Sequence, residues 1–329
     1  MAKAKKLPSG NWRVQAKANG QVKSFTGSDR RIVEAEAKAW QAGLVSEVES
    51  ITVGKAYERY IESKKNVLSP TTIRAYQGMA RTNFQELMPI KIDKLSNEII
   101  QSAVNRLARS VTPKSVRNNY GLLTAVIAMF NPYFKPMVKL PQREKREIII
   151  PTREQIQKLI KSAKGTQYYI PVLLAALCGM RAGEICALTS DDIKNGKINI
   201  NKALVRRLDG EWITKSPKSY SGYRTIEIPP IVSEALKGKH GKIVSLTSHS
   251  LSDGFPLVLK KAGLPHFRFH DLRHFYVSEL FDMGLPEKYI IAQVGHSSSS
   301  ITKSVYDHLS AEKQTKYATD IAAHFSDYN

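Results

Sequence analysis

An apolar run at residues 170–178 constrains the fold most strongly, because Gly179 ends it and Arg181 follows two residues later. Such a run predicts a buried helix, and a glycine suits the break after it. Arg181 then stands beside a hydrophobic core, where an unpaired charge is costly. The sequence therefore predicts that Arg181 points into a cleft or pairs with Glu184, one helical turn away.

The chain carries a large excess of positive charge. Its 50 Lys and Arg residues outnumber 29 Asp and Glu residues, which gives a formal net charge of +21. A surface of this kind attracts polyanions by releasing condensed counterions, so double-stranded DNA is the expected partner. Net charge alone also fits a basic protein that binds no nucleic acid, or one that binds an anionic membrane surface. No stretch approaches the roughly 20 apolar residues that span a bilayer, so no membrane partner is expected.

Cysteine usage and the N-terminus predict an intracellular protein. The two cysteines, Cys178 and Cys186, are too few for a disulfide framework or a zinc site, and they predict buried thiols in a reducing compartment. The basic N-terminus has no apolar signal core, so secretion is not expected.

Composition divides the chain into three predicted domains. We expect a small β-hairpin or sheet plus a helix at 1–49, an all-helical domain at 50–141, and a mixed, mainly helical domain with a small antiparallel sheet at 142–329. Proline and charge mark a linker at the second boundary. Arg143 and Lys145 in this linker are candidate DNA contacts, and a solvated connector is an equal alternative.

Turn and cap residues predict the N-terminal domain. Strands are expected at 12–17 and 21–25, because Asn19-Gly20 between them favours a tight hairpin turn. Ser28 is expected to cap the following helix and Gly43 to end it. A basic face on this hairpin predicts DNA binding, with a merely solvated face as the alternative. The candidate DNA-binding residues are Arg13, Lys17 and Lys23.

Cap residues and prolines predict several helix starts further along the chain. Ser69-Pro70 and Thr112-Pro113 each combine an N-cap with proline at the first helical position. The helix after Thr112 carries one apolar stripe, which predicts core packing. Thr152 and Gln155 predict a capping box. The expected strands of the third domain span 198–205, 212–214 and 223–227.

Several short segments of the third domain suit phosphate chemistry. His270 and Arg273 are spaced to lie on one helical face. Histidine titrates near neutral pH, and the arginine fork fits phosphate oxygens. Taken singly, each segment has a structural explanation: an Arg181–Glu184 ion pair, a polar surface turn, or a core tyrosine. The full set of candidate catalytic residues is Arg181, Lys218, His270, Arg273, His296 and Tyr306.

In combination, these residues resemble the tyrosine recombinase family, and phage and mobile-element integrases in particular. The segments LLAALCGMRAGEICAL, HDLRHFYVSELF and VGHSSSSITKSVYDHL carry the resemblance, and the lysine motif is looser. The resemblance covers the third domain nearly throughout. By layout, the helical domain resembles the family's SAM-like core-site-binding domain, and the N-terminal domain resembles an arm-type DNA-binding domain.

The resemblance implies a site-specific DNA recombinase that cleaves and rejoins strands through a 3′-phosphotyrosine, integrating and excising a mobile element. Tyr306 is then the nucleophile, Arg181 and Arg273 hold the phosphate, and His270 is the base candidate. The remaining implied roles are a hydrogen bond to the phosphate from His296, orientation of Arg181 by Glu184, protonation of the leaving oxygen by Lys218, and structural support by His274 and His308.

Some assignments have competitors. Lys215 is the alternative to Lys218 as the general acid. Tyr276 and Tyr289 are alternative tyrosines, but their apolar helical contexts predict core positions. The serines at 297–300 depart from the family, which often has an apolar residue there, and predict a looser loop before Tyr306. A type IB topoisomerase-like enzyme and a catalytically inactive DNA-binding relative are the alternative functions.

The implied partners are core and arm attachment sites on DNA and three further copies in a homotetramer. Two accessory proteins are candidate partners, an excision or directionality factor and a host DNA-bending protein. No cofactor or metal is implied, because a two-metal site needs clustered carboxylates, and a helix start or surface turn explains the adjacent Asp191 and Asp192 better. The expected location is the cytoplasm of a bacterial host, with the nucleoid.

Overall fold

The computed structural model describes residues 3–18, 21–41, 50–143, 149–207, 209–217 and 220–295. The chain forms two compact units, Met1–Glu144 and Lys145–Asn329. Both are rich in helix and carry small antiparallel sheets, which confirms the predicted fold class. The finer division into three domains stays a prediction. Within the described ranges, no helix is long and apolar enough to cross a membrane.

The first unit begins with a three-stranded antiparallel sheet covered by one helix. Pairing runs from Trp12 opposite Gly27 to Ala18 opposite Gln21, as a hairpin requires. Val14 and Ala16 face the helix and pack on it. The predicted turn at Asn19-Gly20 lies outside the described residues. The elements are β1 (Lys5–Lys6), β2 (Trp12–Ala18), β3 (Gln21–Gly27) and α1 (Arg30–Gln41).

The cap of α1 differs from the predicted one. Asp29 Oδ1 accepts hydrogen bonds from the backbone N–H of Arg31 at 2.7 Å and of Ile32 at 3.4 Å. The prediction that Ser28 caps this helix was wrong by one residue. A carboxylate is favoured at this position because it also meets the positive end of the helix dipole. Gly43, predicted to end the helix, lies outside the described residues.

Four α-helices and two short 3-10 helices lie in the described rest of the first unit. The side chains of Ser69 and Thr112 accept from backbone N–H groups three residues on, and proline opens each helix, which confirms both predicted starts. The apolar stripe of the last helix is core, with Val116, Leu123 and Ile127 fully buried. The α-helices are α2 (Val53–Lys64), α3 (Pro70–Thr82), α4 (Asn97–Leu107) and α5 (Pro113–Phe130).

The second unit is built around one buried helix, the apolar run that the sequence singled out. This helix, α7, packs against four others, α6, α8, α9 and α11. The capping box of Thr152 and Gln155 is present at the start of α6. The helices are α6 (Arg153–Ala163), α7 (Tyr169–Cys178), α8 (Ala182–Ala187), α9 (Pro230–Leu236), α10 (Ser248–Lys261), α11 (Asp271–Asp282) and α12 (Glu287–Val294).

The strands of this unit form two sheets, where one was predicted. The predicted strand at 198–205 is interrupted at Asn201 and Lys202. Lys202 Nζ lies 2.6 Å from the buried carboxylate of Asp192, which anchors the chain at the break. One sheet has the order β4-β5-β8, and the other pairs β6 with β7. The strands are β4 (Ile193–Lys194), β5 (Lys197–Ile200), β6 (Ala203–Arg206), β7 (Trp212–Lys215) and β8 (Arg224–Glu227).

Gly179 makes the break between α7 and α8 possible. Its φ is +63°, in the left-handed region, and a Cβ there would lie 2.3 Å from Cδ1 of Tyr276 on α11. Glycine is therefore required both by the backbone conformation and by the close approach of α11. Arg181 follows as the N-cap of α8.

Substitution of Gly179 by alanine is expected to destabilise the fold more than the same change at Gly165. Both glycines have positive φ, but a Cβ at Gly165 meets nothing within 4 Å. The control should cost about 1–2 kcal/mol, the left-handed penalty alone. Gly179→Ala should cost more, because Tyr276 must move. Urea unfolding measures both, and equal costs would contradict the close contact.

Candidate active site

Arg181 and Glu184 form an ion pair across the start of α8. Glu184 accepts from the backbone N–H of Arg181 at 2.9 Å and from its Nη1 at 2.8 Å. The Glu184 side chain is 7% exposed, but that of Arg181 is 35% exposed. Nη2 of Arg181 also donates to the carbonyl oxygen of Gly295. Arg181 is thus both paired and accessible, so both readings of the sequence hold.

A second arginine shares the Glu184 carboxylate. Arg224, at the start of β8, donates Nη2 to Oε2 at 2.8 Å and Nη1 to Oε1 at 3.1 Å. Its side chain is 5% exposed. Sequence reasoning missed this residue. Its signal was a charge at an inward-facing position of an alternating strand, two residues before the buried Ile226.

Glu184 is ionised throughout the physiological range. Burial alone would raise its pKa, but the hydrogen bonds and charge of Arg224, with the charge of Arg181, lower the pKa to about 2. The carboxylate therefore remains an anion held between two guanidinium groups.

Arg273, on α11, is fully buried, at 1% exposure. It donates Nη1 to the Gly179 carbonyl and Nη2 to the Val294 carbonyl. Its Nε has no partner among the described residues. Burial and then the charge of Arg181 lower its pKa well below the usual value, although arginine stays protonated in proteins. The alternative reading of this segment as a polar surface turn is wrong for Arg273.

His270 sits at the N-cap of α11, beside Arg273. Its ring stacks edge-on against His274, with centroids 5.0 Å apart. Burial, and then the charges of His274 and Arg273, lower its pKa to about 4. The residue as a whole is exposed to solvent, and water moderates this lowering of the pKa. Because the pKa is lowered, the His270 imidazole is neutral at neutral pH and able to accept a proton.

The carboxylate next to His270 is occupied elsewhere. Asp271 is buried and accepts from the backbone N–H of Arg268 at 2.7 Å, and from its Nε at 3.1 Å and Nη2 at 2.7 Å. His274 is also buried, 3.9 Å from the same carboxylate. These three residues hold the start of α11 in place.

Three arginines converge on the C-terminal end of α12. The carbonyl oxygens of Gln293, Val294 and Gly295 accept in turn from Arg224 Nε, Arg273 Nη2 and Arg181 Nη2. Helix C-termini expose carbonyl groups and carry partial negative charge, so cations stabilise them. The arrangement brings three guanidinium groups together at residues 293–295. These residues directly precede His296 in the chain.

The carboxylates that the structure describes do not balance the charges of these three arginines. Within the described part of the chain, Glu184 is the only carboxylate paired with any of the three arginines. Three cations around one anion leave an excess of two positive charges in a mostly buried site. Such an excess favours binding of an anion.

Several candidate residues lie outside the described residues, namely Lys145, Lys218, His296, Tyr306 and His308. Lys215 is exposed at the end of β7. Tyr276 is half-buried and hydrogen-bonds Gln293, but Tyr289 is 67% exposed, so its predicted core position was wrong. The reason is that α12 buries only the face of Ile290 and Val294.

The basic N-terminal residues divide between two faces of the sheet. Arg13 and Lys17 are exposed on one face of β2, and Lys5 lies opposite Arg13. Lys23 lies opposite the buried Ala16, on the other face. Arg143 is exposed. The structure therefore groups Arg13 with Lys17 but separates Lys23 from them.

Two other predictions outside the site are confirmed. Cys178 and Cys186 are buried free thiols, and burial raises the pKa of each to about 12. Asp191 and Asp192 lie in a short 3-10 helix, where Asp192 accepts from Thr189 and pairs with Lys202.

Two family models match this chain. The model described as "Phage integrase family" matches residues 151–313, and "Phage integrase, N-terminal SAM-like domain" matches residues 52–108. A protein of Caldanaerobacter subterraneus described as tyrosine recombinase XerC-like is 26% identical, over 90% of this chain and 91% of its own length.

Solved structures show the same fold. The Tn1549 transposon integrase in complex with transposon right end DNA has a TM-score of 0.65 at 21% identity, covering 80% of this chain and 99% of that one. A lambda integrase tetramer bound to a Holliday junction has a TM-score of 0.58 at 17% identity, covering 92% and 94%.

Glu184→Gln is expected to lower the free energy of unfolding by about 3–5 kcal/mol, because it leaves Arg224 buried without a counter-charge. Glu227→Gln is the matched control, since its carboxylate is 81% exposed and pairs with Lys197 at 3.1 Å. That control should cost under about 1 kcal/mol.

Urea unfolding of the two variants measures the difference. The wild type should also lose stability as pH falls from 4.5, the ordinary value, towards about 2, where Glu184 is protonated in the fold. Equal costs for the two variants, or an unchanged acid sensitivity in Glu184→Gln, would contradict the shared carboxylate.

Proposed function

The chain belongs to the phage integrase family of tyrosine recombinases, and on that premise we propose that it cuts and rejoins DNA through a covalent bond from Tyr306 to a 3′ phosphate. As a member, it is a site-specific recombinase of mobile elements. One observation carries the proposed chemistry. Arg181 and Arg273 converge at a site where, among the residues that the structure describes, positive charges outnumber negative charges by two.

A phosphodiester is the anion that this site suits. The Arg181 side chain is 35% exposed, and Arg273 is buried and held by two backbone carbonyls. In the proposal, both arginines hold the non-bridging oxygens and offset the charge that builds on phosphorus during attack. Preset donors of this kind are commonly the largest catalytic contribution.

The proposed cleavage step forms the bond from Tyr306 Oη to phosphorus and breaks the bond from phosphorus to the 5′ oxygen. A free phenol has a pKa of about 10, so it needs a base or a cationic site. His270 takes the phenol proton, which its neutral form permits. Lys218, or Lys215, gives a proton to the leaving oxygen, and His296 donates a hydrogen bond to the phosphate.

Rejoining reverses these steps with a 5′ hydroxyl from a second DNA. The bond energy stays in the phosphotyrosine link, so no nucleotide cofactor is consumed. We propose that residues 50–141 bind the core site and residues 1–49 an arm site, with Arg13 and Lys17 on the exposed sheet face and Arg143 and Lys145 along the linker.

We further propose that four protomers act together on the DNA, which the structure of a lambda integrase tetramer bound to a Holliday junction supports. The excision factor, the host DNA-bending protein and a place in the bacterial cytoplasm with the nucleoid belong to the same proposal.

Tyr306→Phe is expected to abolish covalent complex formation, because the attacking oxygen is removed. A suicide substrate with a nicked core site traps the complex, which gels then resolve. Tyr276→Phe and Tyr289→Phe are the matched controls and should keep at least about half of the product. Trapped product in Tyr306→Phe would contradict the proposal, and none in the wild type would favour a DNA-binding relative. Plasmid relaxation without a partner site would favour a type IB topoisomerase.

The cleavage rate is expected to change little between pH 8 and pH 6 through His270. The neutral imidazole is the form that accepts a proton, and it prevails above its pKa of about 4. Activity through this group is lost only as pH falls towards that value. Single-turnover cleavage at saturating substrate measures this, with the exposed His249→Gln as the control. A loss centred near the ordinary value of about 6.5 that disappears in His270→Ala would contradict the lowered pKa.

A further inference from the structure

We propose that Arg224 is a positioning residue for this reaction, which ties α8, the turn before β8 and the end of α12 into one arrangement. The inference rests on the proposed function, because it concerns the aim of Arg181 at a phosphate. Arg224 itself is buried and donates to Glu184 and Gln293, so it is proposed to contact neither DNA nor the reacting atoms.

The first contact sets the charge of Arg181. Arg224 engages both oxygens of Glu184, at 2.8 and 3.1 Å, while Arg181 takes only Oε1 through its side chain. Arg224 therefore satisfies most of the negative charge of Glu184. Without it, the carboxylate would be free to draw Arg181 into a two-oxygen pair, which would neutralise that arginine and turn it from the substrate.

The second contact sets the end of α12. Arg224 Nε donates to the Gln293 carbonyl at 3.0 Å. The two following carbonyls bind Arg273 and Arg181. Loss of the first bond frees the last turn of α12 to shift, and with it the acceptors of both phosphate-binding arginines.

The third contact joins this arrangement to the turn before β8. A Cβ on Gly295 would lie 2.6 Å from the Ser221 carbonyl and 3.0 Å from Arg224 Nη1. The backbone of α12 therefore lies directly against residues 221 and 224, at the end of the segment that contains Lys218. The Arg224 side chain thus lies against the start of α8, the end of α12 and the turn before β8.

The planar fork is essential to this role. Arg224 donates two hydrogen bonds to the Glu184 carboxylate, one to the Gln293 carbonyl and a long one, at 3.5 Å, to the Gly222 carbonyl. Lysine keeps the charge but cannot serve these four acceptors in that geometry. Arg224→Lys therefore separates positioning from charge.

The test is the single-turnover rate of covalent complex formation in the full-length chain, at saturating nicked substrate. Arg224→Lys should lower this rate by about 100-fold, the effect of roughly 1 Å of misplacement. The dissociation constant for DNA should change less than about twofold, because Nε, Nη1 and Nη2 of Arg224 already donate to Gln293 and Glu184 and so make no phosphate contact. The control is Arg153→Lys, on the surface of α6 and paired with Glu279 at 2.8 Å, which should keep the wild-type rate.

A double-mutant cycle with Glu184→Gln separates positioning from a general loss of structure. If Arg224 acts through Glu184, Arg224→Lys should slow the Glu184→Gln enzyme by far less than it slows the wild type. A folded Arg224→Lys protein that cleaves at the wild-type rate overturns the proposal. A double variant whose rate loss equals the product of the losses from Arg224→Lys and Glu184→Gln overturns it too.

If Arg224→Lys does not fold, the neutral pair Arg224→Gln with Glu184→Gln replaces it, since removing both charges avoids an unpaired one. A folded neutral pair with slow cleavage supports positioning, and one with the wild-type rate overturns it. Failure of the proposed function is distinguishable, because the wild type would then form no complex dependent on Tyr306.

Discussion

The carboxylate of Glu184 is the interaction on which the site depends. It is buried, ionised and shared between Arg181 and Arg224, and it also accepts from the backbone at the start of α8. Loss of this carboxylate would leave Arg224 buried without a counter-charge. The break at Gly179 delivers one arginine to this anion, and β8 delivers the other.

The site is left electrostatically incomplete around that anion. Arg273 adds a third cation without adding a carboxylate, and Asp271 nearby is already committed to Arg268. A fold selected for stability alone would balance or remove such charge. Here the balancing charge belongs to a DNA phosphate in the proposed reaction, so substrate binding and charge neutralisation are the same event.

The sequence predicted what is determined locally. The break before Arg181, the pair with Glu184 and the proximity of His270 to Arg273 all depend on residues within one turn of each other. Helix starts at Ser69, Thr112 and Thr152 were legible for the same reason, because a cap and its acceptors are neighbours in the chain.

What the sequence did not predict depends on long-range register. Arg224 reaches Glu184 only because β8 pairs with β5 in one alignment. The split of the predicted sheet follows from Lys202 meeting Asp192, and Lys23 changes face because it pairs opposite Ala16. Tyr289 was misjudged because hydrophobic context does not show which side of a short helix is covered.

The carbonyls at the end of α12 have a further consequence. Main-chain carbonyl groups are dipoles with no net charge, so they can fix the direction of a guanidinium group while leaving its full charge in place. Acidic side chains at the same points would orient the arginines equally well and cancel them. Orientation and electrostatic strength, which usually compete in a cationic site, are thereby assigned to different parts of the protein: the backbone supplies the first, and the scarcity of anions preserves the second.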